Sequence, residues 1–296
     1  LGKVDMGDYK SVIEFGKWAK ENFPAKKYML ILWNHGSGWT KGLAGASKGI
    51  SYDSETKNHL NTPQMAVALR EIGGVNVYGS DACLMQMPEV DYEIKSYVEY
   101  IVGSEETEPG DGYTYNDFLG PVIANPSMSP EELGKQAVNA YSDHYLSIGQ
   151  SATQSLVKTA ALDGFLARVN AFVTAAMATD EKALVKSALS KAQSYYVRDN
   201  KDMHDFLSVY ASSSTSQEVK AKAAELQRYI SEELVVHNRA SGKYSPKSKG
   251  VAVYMPGYSA GPGYGELAWA RDSRWDEFIN WYLVKEGEGP AIPVYR

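Results

Sequence analysis

In the first half of the chain, apolar residues recur among polar ones at a spacing that predicts helices. Val12, Phe15 and Ala19 repeat at helical spacing behind Asp8, a residue type that caps helix N-termini. A second helix is predicted from Thr62, the expected N-cap before a proline, and it ends at a pair of glycines.

Continuous apolar runs between these helices predict strands. Tyr28–Trp33 is typical of a strand that is buried on both faces of a parallel sheet, and Val75–Gly79 and Tyr97–Gly103 follow it. The polar, glycine-rich stretch Asn34–Gly49 is predicted to be a loop. The order β-α-β-α-β indicates an α/β fold with a mostly parallel sheet and right-handed crossovers.

The second half of the chain is predicted to be mainly helical. Ser129 and Glu132 form a capping box ahead of one helix. Further elements are expected as helices at Leu162–Met177, Glu181–Tyr195, near Glu218–Val236 and after Ser273, and as strands near 155–160 and at Gly250–Met255. We therefore divide the chain into an α/β core at 1–125, a mainly helical subdomain at 126–245, and a C-terminal strand and helix at 246–296 that return to the core.

Composition and charge narrow the possible functions. Apolar residues make up 44% and charged residues 22%, which is ordinary for a folded protein. The net charge of −6 disfavours a nucleic-acid partner, which usually meets a basic face. The apolar run Tyr28–Trp33 is too short to span a bilayer, and Leu1–Lys10 lacks the pattern of a signal peptide.

The single cysteine, Cys83, excludes an intrachain disulfide and a cysteine-rich metal cluster. It follows the second predicted strand, as His35 follows the first, and sites in open α/β sheets form beyond these carboxyl ends. An imidazolium stabilises a thiolate and can protonate a leaving amine, so the pair suits nucleophilic catalysis. The alternative is that Cys83 is a packed small residue and His35 an ordinary loop histidine.

Two motifs carry a resemblance to a known family. The segments YMLILWNHGSGW and VYGSDACLMQMPEV, together with MGD near the start, GSEETEP after the third strand and GVAVYMP near the end, resemble the clostripain-like cysteine peptidases. That family is related to caspases, legumains and gingipains. The resemblance implies a caspase-like α/β/α sandwich with a helical C-terminal subdomain, and a cysteine endopeptidase that cleaves after Arg or Lys.

The resemblance also assigns roles to residues. His35 would be the general acid and base, Cys83 the nucleophile that forms a thioester, and the N–H groups of Gly36 and Cys83 the oxyanion hole. Asp81 matches the position that the family associates with a basic P1 residue (the residue before the cleaved bond). Asp111 is a second candidate for this S1 pocket, although Pro-Gly-Asp-Gly equally suits a turn.

The resemblance further implies maturation by cleavage after a basic residue in the 41–49 loop, with Lys48 as the better candidate. It implies peptide and protein substrates, and a bacterial protein that is secreted, periplasmic or on the cell surface. Glu105, Glu106 and Glu108 are open to three interpretations, as solvated charges, salt-bridge partners or a cation site. No EF-hand pattern is present, so no metal or other cofactor is predicted, although some family members depend on calcium. The rival to an enzyme is an inactive peptidase-like module that binds basic peptides through Asp81.

Overall fold

The computed structural model describes residues 2–41, 48–284 and 289–292 of the chain. The strands are β1 (Met29–Trp33), β2 (Gly36–Lys41), β3 (Lys48–Ile50), β4 (Val75–Asp81), β5 (Val98–Gly103), β6 (Thr153–Lys158), β7 (Asn200–Asp202), β8 (Val235–Ala240) and β9 (Ala252–Tyr254). The α-helices are α1 (Tyr9–Asn22), α2 (Thr62–Glu71), α3 (Pro88–Ile94), α4 (Tyr115–Ala124), α5 (Pro130–Ser147), α6 (Leu162–Met177), α7 (Lys182–Lys191), α8 (Met203–Ser213), α9 (Gln217–Tyr229), α10 (Ala268–Asp272) and α11 (Trp275–Leu283).

A mixed five-stranded sheet in the order β1-β4-β5-β6-β8 forms the centre of the molecule. β1, β4 and β5 pair in parallel, with α2 and α3 in the connections, which confirms the predicted β-α-β-α-β unit. β6 runs antiparallel to both of its neighbours, so β8 points the same way as the first three strands. The sheet is therefore mostly parallel in strand direction, as predicted.

The two faces of this sheet are covered by different helices. Val77, Val102 and Leu156 are fully buried in a core that includes side chains of α4 and α5. Tyr78 and Ile101, their neighbours in sequence, face the opposite side and a core shared with α2, α3 and α6. Since successive strand residues point to opposite faces, this alternation shows that helices cover both sides. The three-layer α/β/α arrangement is confirmed.

The apolar run Tyr28–Trp33 was wrongly predicted to be a buried strand. β1 lies at the edge of the central sheet, its residues Met29–Leu32 are only half-buried, and Trp33 is 68% exposed. An apolar run indicates covered faces, but it does not tell whether a strand has a neighbour on each side. The interior position is taken by β4, which pairs with β1 and β5.

The segment predicted as a loop, Asn34–Gly49, contains the antiparallel hairpin β2–β3. Its middle, 42–47, lies outside the described residues. Near the other end of the chain, β9 within Gly250–Met255 pairs with β7 in a separate two-stranded sheet. This final strand therefore packs beside the central sheet without joining it.

The middle of the chain contributes both helices and sheet. The predicted helix near Glu218–Val236 ends at Tyr229, passes through a π-helical turn at Ile230–Leu234, and continues as β8. β6 begins slightly earlier than the predicted 155–160 segment and lies between β5 and β8 in the central sheet. The division at 1–125, 126–245 and 246–296 stays a prediction about folding units, with the central sheet drawing strands from the first two.

The stretch Thr159–Met177 is long and apolar enough to cross a membrane by length and composition alone, with a mean hydropathy of 1.2. Phe165, Val169 and Phe172 from this stretch are fully buried in the protein core. Their burial accounts for the apolar composition, because core helices of folded proteins pass the same test.

Candidate active site

The loops that carry His35 and Cys83 leave the sheet side by side. Register pairs Trp33, the last residue of β1, with Asp81, the last residue of β4. Because the two strands are parallel neighbours, the residues that follow emerge at the same edge. The Asn34 N–H donates to the Asp81 carbonyl at 3.3 Å and continues this pairing beyond the strands.

Gly36 brings the two backbones into contact. A Cβ atom at this position would lie 2.4 Å from the Cys83 carbonyl oxygen and 3.1 Å from the Cys83 nitrogen. Real Cβ atoms do not approach backbone atoms as closely as the first of these distances, so the approach requires glycine. The residues predicted to form the oxyanion hole therefore lie next to each other.

The Cys83 sulfur is half-buried against the loop that follows β5. The Glu108 N–H lies 3.3 Å from Cys83 Sγ, and the Glu108 carbonyl oxygen lies 3.9 Å from it. Burial raises the pKa of the Cys83 thiol, and the Glu106 charge adds to this. The N–H groups of Glu108, Cys83 and Gly36 oppose the shift, since they stabilise a thiolate.

His35 is exposed at the mouth of the site. Its N–H donates to Asn34 Oδ1 at 2.7 Å, and its carbonyl accepts the Ser51 N–H at 3.1 Å. The ring makes no hydrogen bond to Cys83 Sγ within the described part of the chain. The structure thus brings the two loops together, while the His35–Cys83 dyad itself stays a prediction.

Asp81, the predicted S1 residue, is 3% exposed and already accepts two hydrogen bonds. The Tyr113 N–H donates to Oδ1 at 3.0 Å, and the Tyr115 hydroxyl donates to Oδ2 at 2.7 Å. Burial raises the pKa of this carboxyl, and the two tyrosine bonds oppose the shift. Tyr115, which the sequence pattern did not single out, thus donates a hydrogen bond to the carboxylate that is predicted to bind the P1 side chain.

Asp111, the second S1 candidate, points elsewhere. Its carboxylate is 69% exposed and lies 3.2 Å from His144 Nε2 on α5. The surrounding chain makes the turn that Pro-Gly-Asp-Gly suggests, with the Gly112 N–H donating to the Pro109 carbonyl at 3.1 Å. Its role in the S1 pocket stays a prediction.

The three glutamates after β5 are neither solvated nor in salt bridges within the described residues. Glu105 is 1% and Glu106 5% exposed, and both carboxyl oxygens of Glu108 are buried. Glu106 accepts hydrogen bonds from the Tyr196 N–H and the Tyr244 hydroxyl, at 2.9 and 2.7 Å. The position of these glutamates directly after a buried strand was a sequence signal of their burial. The elements that cover them, however, lie far away in the sequence.

No group of three His, Cys, Asp or Glu side chains among residues 2–41, 48–284 and 289–292 is placed to hold a metal ion. The processing candidate Lys48 begins β3, and most of the 41–49 segment, at 42–47, lies outside the described residues.

Comparison with known proteins identifies the family. A model of the clostripain family matches residues 2–282. Clostripain from Hathewaya histolytica is 28% identical over 142 residues, which is 44% of this chain and 27% of clostripain, so the match spans about a quarter of that relative.

Solved structures share the fold. A secreted C11 cysteine protease from Bacteroides thetaiotaomicron, in complex with an irreversible peptide inhibitor, has a TM-score of 0.69 at 18% identity and covers 91% of this chain and 78% of its own. An inactive zymogen C11 protease from Parabacteroides distasonis has a TM-score of 0.66 at 22% identity and covers 90% and 75%. Since the family model spans nearly the whole chain, this protein belongs to the clostripain family of cysteine peptidases.

Proposed function

We propose that this protein is a cysteine endopeptidase that cleaves peptide bonds after Arg or Lys, with Cys83 as the nucleophile. The observation that carries the proposal is the contact between Gly36 and Cys83, which places backbone N–H groups of two parallel-strand ends around one sulfur. Donors fixed in this way stabilise negative charge as it develops on a substrate oxygen.

The reaction follows from this arrangement. Cys83 Sγ attacks the scissile carbonyl carbon while His35 takes the thiol proton, and the N–H groups of Gly36 and Cys83 hold the resulting oxyanion. The C–N bond then breaks, His35 gives its proton to the departing amine, and a thioester remains on Cys83. Water, deprotonated by His35, attacks the thioester and releases the carboxylic acid and the free thiol. No cofactor enters these steps.

Specificity for a basic P1 residue is assigned to Asp81, with Asp111 as the second candidate. A buried carboxylate beside the nucleophile suits a guanidinium or an ammonium group. The Tyr113 N–H and the Tyr115 hydroxyl each donate to one Asp81 oxygen, so a substrate cation must share an oxygen with one of these donors or displace it.

An inactive module that binds basic peptides is the second candidate. It is favoured by the exposed His35 ring, which makes no hydrogen bond to Cys83 within the described residues, and by the raised pKa of the thiol. In this account Asp81 binds the cation and no bond is broken.

Hydrolysis of a fluorogenic peptide whose reporter group follows an arginine distinguishes the two candidate functions. We expect the wild type to cleave it, an alkylating agent to stop cleavage, and Cys83→Ala and His35→Ala each to lower kcat/KM by about a thousandfold or more. Cleavage retained in Cys83→Ala contradicts the mechanism. Binding of the peptide without cleavage by the wild type supports the inactive module.

We further propose that the enzyme matures by its own cleavage after Lys48 in the 41–49 segment, and that it acts outside the cytoplasm on proteins with basic residues. Support comes from the family resemblance and from the similar fold of a secreted C11 cysteine protease from Bacteroides thetaiotaomicron.

A further inference from the structure

We propose that Glu108 is a specificity-determining residue, whose carboxyl joins Asp81 in binding the cationic P1 side chain. The inference deepens the proposed function and rests on it. Neither the sequence pattern nor the family resemblance assigns a role to Glu108.

The backbone of Glu108 lies at the nucleophile. Its N–H is 3.3 Å from Cys83 Sγ and its carbonyl oxygen is 3.9 Å from the same atom. A substrate carbonyl that reaches the sulfur therefore meets the segment of chain that carries this glutamate. The P1 side chain is attached to the carbon atom next to this substrate carbonyl, so its charged end lies near the side chains around this segment.

The Glu108 carboxyl is buried and incompletely hydrogen-bonded among the described residues. Both of its oxygens are shielded from solvent, and neither makes a hydrogen bond of good geometry, although Asp81 and the Gln154 amide lie beside them. Buried carboxyl groups normally have such partners, and leaving one unpaired is unfavourable. Asp81, by contrast, has a donor on each oxygen. The unused hydrogen-bonding capacity of the pair therefore lies mainly on Glu108, and a guanidinium with five N–H groups suits it.

No cation of the described chain compensates this pair. The groups that interact with Glu108 from β4, the loops after β4 and β5, α4, α5 and β6 are Asp81, Cys83, Tyr113, Tyr115, Tyr141, Tyr145 and Gln154. Burial and then the charge of Asp81 raise the pKa of Glu108 well above its ordinary value. The interaction between the two carboxyl groups acts to lower the pKa of Asp81 and to raise that of Glu108, so a proton shared between them stays on Glu108.

A bound P1 cation reverses this balance. It favours two ionised carboxylates, so the proton on Glu108 leaves to solvent as the cation enters. Raising the pH removes the same proton in advance. The preference for a cationic over a neutral P1 residue therefore increases with pH.

The test compares two peptides that differ only at P1, arginine or its neutral isostere citrulline. The ionisation of Cys83 and His35 affects the cleavage of both peptides equally, so its effect cancels in the ratio of their kcat/KM values. For the wild type we expect this ratio to rise as the pH increases above the ordinary carboxyl pKa of about 4. In Glu108→Gln we expect it to fall by about tenfold or more and to rise less with pH, because Asp81 is then the one carboxyl of the pair that ionises.

Glu99→Gln is the matched control, because Glu99 is exposed at the opposite end of β5 and hydrogen-bonds to Asn76. It should keep the wild-type ratio and its rise. A wild-type ratio that does not change with pH overturns the proposal, and so does a Glu108→Gln ratio equal to that of the control. The wild-type arm remains decisive if Glu108→Gln does not fold.

Binding separates this inference from the proposed function. In a Cys83→Ser background, calorimetry with the same two peptides measures P1 recognition without cleavage. If the wild type cleaves neither peptide, the proposed enzyme fails, yet stronger binding of the arginine peptide that increases with pH and is lost with Glu108→Gln still supports the role of Glu108. Equal binding of both peptides contradicts that role.

Discussion

At the scale of single residues, the site depends on a side chain that is absent. Gly36 lets the His35 loop (residues 34–36) lie against the Cys83 backbone, and a Cβ there would meet the Cys83 carbonyl oxygen at 2.4 Å. The oxyanion hole that we propose needs this approach, because its two N–H groups must converge on one oxygen.

Gly36→Ala should therefore lower kcat by about a hundredfold or more and destabilise the fold by about 1–3 kcal/mol. Gly257→Ala is the control, since a Cβ at that position meets nothing within 4 Å. Peptide hydrolysis and thermal unfolding of both variants check the prediction. A Gly36→Ala variant with wild-type kcat would show that the two backbones need not touch during the reaction.

The positions of His35 and Cys83 at one edge of the sheet could be predicted from the sequence, because two apolar runs fix two parallel strands and their carboxyl ends coincide. The burial of Glu105, Glu106 and Glu108 could not. Glu106 is held by Tyr196 and Tyr244, which are distant in the chain, and no local pattern brings them together.

At the scale of elements, buried carboxyl groups that hold segments together have pKa shifts in opposite directions. Glu105 accepts the Gly250 N–H at 3.2 Å, and burial followed by the charge of Asp202 raises its pKa well above the ordinary value. Burial raises the pKa of Asp202 to about 6. Burial also acts on Glu181, but hydrogen bonds from Ser214, Thr215 and Tyr210 outweigh it and lower the pKa.

These directions predict opposite pH effects on stability. For Glu105 and Asp202 the pKa in the folded state is above the unfolded-state pKa of about 4. Their contribution to stability is therefore fully present below about pH 4 and is lost as the pH rises through the folded-state pKa values. For Glu181 the pKa in the folded state is below the unfolded-state pKa. Its contribution to stability is therefore present at pH values above the unfolded-state pKa and is lost as the pH falls through the folded-state pKa.

Glu105→Gln should thus match the wild-type stability below about pH 4, exceed it at neutral pH and weaken the decline as the pH rises. Glu181→Gln should cost about 1–3 kcal/mol at neutral pH and weaken the decline at lower pH. Denaturant unfolding across the pH range measures both. The same pH dependence in both variants would contradict the assigned directions of the pKa shifts.

Two of the strands that sequence patterns missed are short. β3 and β7 have three residues each, too few to show an alternation of period two, whereas the equally short β9 was predicted because it lies within the apolar run Gly250–Met255. β8 begins directly after a helical pattern, so the helix prediction ran through it. Long helices such as α5 and α6 were predicted closely because caps and spacing mark them locally.

At the scale of the whole molecule, strands from both halves of the chain form the central sheet. β3, whose first residue is Lys48, is not one of them, so cleavage after Lys48 leaves the pairing of that sheet intact. We expect purified protein to show two fragments that separate after Lys48 under denaturing conditions. Intact-mass spectrometry of the wild type, Cys83→Ala and Lys48→Ala checks this. The two variants should remain single chains, and a fully active, uncleaved wild type would contradict self-processing.

The central claim is that Cys83 attacks the carbonyl carbon after a basic residue, and the single cysteine makes it directly measurable. The protein is treated with an arginine peptide ketone that alkylates active-site thiols, and the modified residue is located by tandem mass spectrometry. We predict one adduct, on Cys83, that does not form in His35→Ala and forms more slowly with the citrulline analogue. A Cys83 that reacts with iodoacetamide but not with the peptide ketone, or an adduct on another residue, would contradict the account.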